Sequence, residues 1–159
     1  CRCFGRQGRI PRVRNCMNAI DTNVWLYCYD DRDPRKRERA RELALSVEPL
    51  VLLWQVGCEF IAAARKLEPF GFTLAQAWTA LAKIEALSDR VSFPDREIWP
   101  LAQSLQQRFS LHFWDALLVA GCIRSGVKTL YSEDLQHGIE MGGVTVVNPF
   151  ESIGDAHER

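Results

Sequence analysis

From Met17 onward, short apolar runs suited to strands alternate with segments of helical period, and few folds accommodate that alternation. "MNAI" (17–20), "LVLLW" (50–54), "RVSF" (90–93), "KTLYS" (128–132) and "VTVVN" (144–148) read as strands. Between them, residues 22–29 and 34–47 read as helices, the second with Pro34 in its first turn and Leu43 and Val47 facing inward. "QVGCEFIAAARKL" (55–67) is a third, with Val56, Phe60, Ala63 and Leu67 on one face. After the break at "EPFGF", Thr73 starts a fourth, with Leu74, Ala77, Trp78, Leu81 and Ile84 at core spacing. Residues 94–109 form a fifth, expected to kink at Pro100. "HFWDALLVAGCIRSG" (112–126) is apolar nearly all round and predicts a central buried helix ending at Gly126. Strands separated by helices pair in parallel, so the expectation is an α/β chain whose mostly parallel sheet is covered on both faces.

The length suits one core, and five Trp in a chain that is 47% hydrophobic argue for substantial burial. No apolar run approaches the roughly 18 residues of a membrane span. The N-terminus lacks the apolar middle of a signal peptide. Six cysteines at irregular spacing read as reduced thiols of a cytoplasmic protein, with Cys28, Cys58 and Cys122 acting as small hydrophobes in helices. The zero formal charge conceals an asymmetry. Residues 1–16 hold five Arg and no acid, which leaves 15 basic against 20 acidic side chains in the remainder. That aperiodic arm is expected to be disordered, an extension upstream of a biological start at Met17, with a nucleic-acid-binding arm as the alternative. The divisions expected are the extension 1–16, a folded domain 17–150 and a tail 151–159.

Acids fall where strands give way to helices. Asp21 follows the first strand, and Thr22 and Asn23 follow it. Glu59 lies early in the helix after the second strand, Asp115 in the first turn of the buried helix, and Asp134 after "KTLYS". Each has a plain explanation alone. Asp21 is a helix cap, Glu59 a solvated helix residue, Asp115 a partner for a helix dipole, and Asp134 one of two acids in a turn. Together they map to one crevice, because the carboxyl ends of strands in an open parallel sheet share an edge. Gathered carboxylates repel and take up protons unless a cation intervenes. All-oxygen ligation with room for water suits Mg²⁺ or Mn²⁺ better than zinc. "CRC" has no partner pair at zinc-finger spacing, and His112, His137 and His157 form no zinc motif. Phosphate-cradling glycine loops and the G-x-S-x-G elbow are missing too.

With those residues in view, the chain resembles the PIN-domain endoribonucleases of the VapC toxin type. "IDTNVWLYCYD" is similar to the first family motif, with Asp21 as a metal-binding acid and Asn23 its companion. "WQVGCEF" resembles the second, with Glu59. "FWDALLVAGCIRSGVKTLYSEDLQHG" resembles the third and fourth, with Asp115, Asp134 and the nearby Ser132. His112 departs from the pattern, standing where a small hydroxyl residue often caps the third motif's helix. The resemblance implies a three-layer α/β/α fold, Mg²⁺-dependent cleavage of RNA, homodimers and control by a cognate antitoxin.

Phosphodiester hydrolysis needs an activated water and relief of charge on the leaving oxygen, both of which bound Mg²⁺ supplies. Asp21, Asp115 and Glu59 are the expected principal ligands, Asp134 completes the set, and Thr22, Asn23 and Ser132 orient ligands or water. The substrate expected is single-stranded or looped RNA. The basic segment "RDPRKRERAR" either contacts that RNA or is a solvated helix face. A non-catalytic module that keeps the acidic pocket only to bind partners is the alternative. A receiver-like phosphoacceptor ranks last, since Asp21 stands alone and Lys128 begins its strand.

Overall fold

The computed structural model of the chain describes residues 16–151. The arm up to residue 15 and residues 152–159 of the tail, with the readings made of them, lie outside that range. Among the described residues, six strands and six helices form in the order β1 (Met17–Ile20), α1 (Thr22–Tyr27), α2 (Pro34–Ser46), β2 (Val51–Leu53), α3 (Trp54–Ala64), α4 (Leu74–Leu87), β3 (Arg90–Ser92), α5 (Ile98–Phe109), α6 (Phe113–Arg124), β4 (Val127–Tyr131), β5 (Glu140–Met141) and β6 (Val144–Val147). A 3-10 turn over Arg65–Phe70 carries the chain from α3 toward α4.

The strands are nearly all parallel. β1 pairs with β4, β4 with β6, and β2 with β3 in parallel, while only β5 runs antiparallel, to β6. A parallel bridge between Asn18 and Leu50 lays the β2–β3 pair beside the sheet ordered β1-β4-β6-β5. On the helical side, α1 packs on α2 and α3, and α3 on α4; α5 packs on α6, which lies on β2, β4 and β6. The mostly parallel, helix-covered α/β sheet read from the alternation is the architecture observed. Its core is built from β1, β2, β4 and β6 together with Phe60, Ile84 and Val119.

Local chemistry explains the helix starts. Asp33 caps α2 by accepting from the Lys36 amide at 3.1 Å, with Pro34 at the first helical position, where its missing N–H costs nothing. Thr73 and Gln76 form a reciprocal capping box at α4. Pro100 falls in the first turn of α5, which begins only at Ile98, so its missing N–H removes no intrahelical bond. A short strand not among those read from the sequence, β5, forms inside the Gly-rich segment "HGIEMGG" (137–143). Gly142 and Gly143 turn between β5 and β6 at positive φ, the backbone a two-residue hairpin requires.

Burial departs from expectation in one consistent way. Trp25 is buried, whereas Trp54, Trp78, Trp99 and Trp114 are exposed, as is Leu74. Periodicity marked α4's apolar face correctly, but neither Leu74 nor Trp78 reaches a covering element. The four described cysteines are free thiols; Cys28 and Cys122 are buried as expected, but Cys58 is exposed. No helix among the described residues is long and apolar enough to cross a membrane.

Candidate functional site

β1 ends at Ile20, and the next residue must leave the sheet and open a helix. Asp21 does both, with its backbone extended and its side chain accepting from the Thr22 amide at 2.6 Å. The cap reading is therefore true and incomplete. Its other carboxylate oxygen accepts from the Ser132 hydroxyl, just past β4, at 2.7 Å. β1 and β4 are paired in register, Ile20 against Tyr131, so Asp21 and Ser132 meet by sheet geometry.

The other acids reach the same edge from three elements. Glu59 on α3 is half-buried and held at both oxygens, by Thr22 Oγ1 at 3.2 Å and Gln55 Nε2 at 2.8 Å. Asp134, exposed, accepts from the Asn23 amide group, and its own backbone N–H donates to Ser132 Oγ at 3.3 Å. Asp115 is half-buried in the first turn of α6 and makes no side-chain hydrogen bond among the described residues. Each of Thr22, Asn23 and Ser132 thus touches one of the carboxylates.

Charge confirms the proximity. Burial pushes the Asp21 carboxyl up to about 6, against the opposing pull of its bonds from Ser132 and Thr22, and the negative Asp134 and Glu59 push the same way. Burial also raises Asp115; nearby His112 offsets this and Asp134 adds to it. His112 is the N-cap residue of α6, but its side chain makes no capping bond. No Lys or Arg among the described residues pairs with any of the four acids. Nor do three of these side chains, as they stand, converge closely enough to enclose an ion. The crevice is an acidic set of oxygen donors, with Asp115 the least restrained among them. That donor chemistry fits a hard divalent cation that keeps part of its water.

A family model described as the PIN domain matches residues 19–137, well over half the chain and all four acids. The chain belongs to the PIN-domain family. Solved structures agree on the fold. VapC20 from Mycobacterium tuberculosis, described as a sarcin-ricin-loop-cleaving toxin, is 22% identical; the match covers 72% of this chain and 88% of that one, with a TM-score of 0.56. VapBC2 from Rickettsia felis, bound to a DNA fragment from its promoter, is 12% identical over 82% of this chain and 96% of that one, with a TM-score of 0.58. No curated protein matches by sequence.

Two features of this PIN domain escaped the sequence reading. Gln55 bridges Glu59 to the Trp114 carbonyl (3.1 Å), tying α3 to the first turn of α6. Its signal was the i, i+4 spacing to Glu59, which puts both on one helix face. The "ED" ambiguity is resolved by Lys36, whose Nζ donates to Glu133 at 2.6 Å and to the Tyr27 hydroxyl at 3.1 Å. Glu133 belongs to that cluster and leaves Asp134 to the crevice. Three of the basic segment's six cations pair with acids that flank it, Arg32 with Asp30, Arg37 with Asp31 and Arg39 with Glu42.

Proposed function

We infer that this PIN domain is a divalent-metal-dependent endoribonuclease acting as the toxin of a type II toxin–antitoxin pair. The observation that carries the reading is the acidic edge itself: Asp21, Glu59, Asp115 and Asp134 share it, and no Lys or Arg among the described residues pairs with any of them. Asp21, Asp115, Glu59 and Asp134 would hold Mg²⁺, with Mn²⁺ able to substitute. Metal bound there supplies a water of lowered pKa and neutralises charge on the phosphate oxygens.

The chain's own residues prepare that site. Ser132 and the Thr22 amide fix both oxygens of Asp21, so the most buried carboxylate is oriented before any ligand arrives. Thr22 and Gln55 orient Glu59 from opposite oxygens. Asn23 holds Asp134 at the mouth, where solvent and a phosphate backbone have access. Asp115, which makes no side-chain hydrogen bond among the described residues, would be free to complete the ligand set. Fixing donors in advance lowers the reorganisation needed in the reaction.

Single-stranded or looped RNA is the substrate class this reading supports, in keeping with a loop-cleaving toxin among the structural neighbours. An antitoxin and a second copy of the chain are the partners, supported by exposed Trp54, Trp78, Phe93 and Trp99 around two apolar hollows of about 280 and 520 Å³. A cytoplasmic location follows from that role. The test is cleavage of an RNA panel by purified protein in Mg²⁺, Mn²⁺ and EDTA, alongside Asp21→Asn. Cleavage should need metal and fall at least a hundredfold in the variant. Undiminished cleavage in EDTA would overturn the reading.

A further inference from the structure

We propose that Trp114 is a stacking platform for an unpaired base of the RNA substrate, at the rim of the acidic crevice. The inference rests on the nuclease reading and names how that site grips its substrate.

Trp114 immediately precedes Asp115 in the first turn of α6, yet 61% of its surface is exposed. The backbone beneath that exposed indole is not loose. One side chain, Gln55, donates both to the Trp114 carbonyl at 3.1 Å and to Glu59 Oε1 at 2.8 Å, so the platform and a crevice carboxylate share a tether. Phe113 stands edge-to-face with the indole, with centroids 5.1 Å apart and an interplanar angle of 71°, which limits how far the ring can swing.

The site needs such a contact. A nucleic acid is ordinarily held by Lys and Arg on its phosphates. Here the crevice is acidic, and four of the six cations on the neighbouring basic segment, Arg32, Lys36, Arg37 and Arg39, are engaged by Asp30, Glu133, Asp31 and Glu42. Stacking on an aromatic ring supplies affinity without cationic charge and without a demand for one particular base. A base inside a duplex has both faces covered, so the same ring favours unpaired RNA.

The test uses the full chain and a single-stranded oligoribonucleotide cleaved in Mn²⁺, with an abasic nucleotide moved one position at a time past the cut bond. Wild type, Trp114→Phe and Trp114→Ala are compared for KM and kcat, and their sedimenting mass is measured. Trp114→Ala should raise KM about 5- to 150-fold, the range for losing one base–aromatic stack, with a smaller change in kcat. Trp114→Phe should recover most of the loss. One abasic position should weaken wild type by a similar factor and leave Trp114→Ala unaffected. An unchanged KM in the alanine variant, or no positional abasic effect on wild type, would overturn the platform while leaving the nuclease intact. Loss of activity together with a lower sedimenting mass would place Trp114 in a protein interface instead, which also overturns it. Failure of wild type to cleave any single-stranded RNA would remove the nuclease reading and the platform with it.

Discussion

Asp21 is an acid placed where burial opposes its charge. Its two hydrogen bonds favour the carboxylate, but desolvation wins, and Asp134 and Glu59 add to the rise, so it titrates at about 6 instead of near 4. The sign follows from linkage. Between those values the folded protein binds the extra proton, so this group's contribution to stability is present below about pH 4 and lost as pH climbs through about 6. The loss is on the order of 3 kcal/mol at about 1.4 kcal/mol per pH unit. In EDTA, Asp21→Asn should therefore gain stability relative to wild type between pH 4 and 7, as read by denaturant midpoints. A difference that stays flat across that range would contradict a carboxyl raised so far. Mn²⁺ affinity should weaken as pH drops through about 6, because proton and ion compete for the same oxygens.

At the scale of elements, the turn between α5 and α6 sets where the helix carrying Asp115 begins. Ser110 ends α5 at φ 55°, in the left-handed region where a side chain is strained and glycine is not. Its hydroxyl makes no hydrogen bond among the described residues, so Ser110→Gly should relieve strain without losing a contact. The expected gain is about 0.5–1 kcal/mol, seen as a Tm about 1–4 °C higher with RNA cleavage unchanged. A lower Tm would mean that the glycine's freedom in the unfolded chain outweighs the relief. α3 was legible because its apolar face repeats at helical spacing, and α6 because its apolar run is long. β5 was not, since two residues carry no period, although Gly142-Gly143 is itself a hairpin signal. The acids' common edge was legible from strand–helix alternation alone. Which acid of "ED" joins the other carboxylates came from the family resemblance and not from spacing, because Lys36 and Tyr27, which take Glu133, are about a hundred residues away in sequence. Hydrophobic spacing likewise said that Trp78 and Leu74 sit on an apolar face of α4, and could not say whether anything covers them.

Across the molecule, the fold brings together carboxylates from α3, α6 and the segments after β1 and β4, and no Lys or Arg among the described residues pairs with them. Metal-free, such a crevice carries like-charge repulsion; metal-bound, it gains stability by mass action on the folded state. We infer that the four acids form one metal site and are not a set of independent helix caps. Thermal melts of wild type and Asp115→Asn, each in EDTA and in Mn²⁺, separate the two. In EDTA the variant should be as stable as wild type or more so, because the amide keeps an acceptor and removes a charge. Mn²⁺ should stabilise wild type by ~2.7 kcal/mol at a hundred times its dissociation constant, and the variant should lose most of that gain. A variant that is destabilised in EDTA yet keeps the full metal-dependent gain would make Asp115 a structural cap and contradict the shared site.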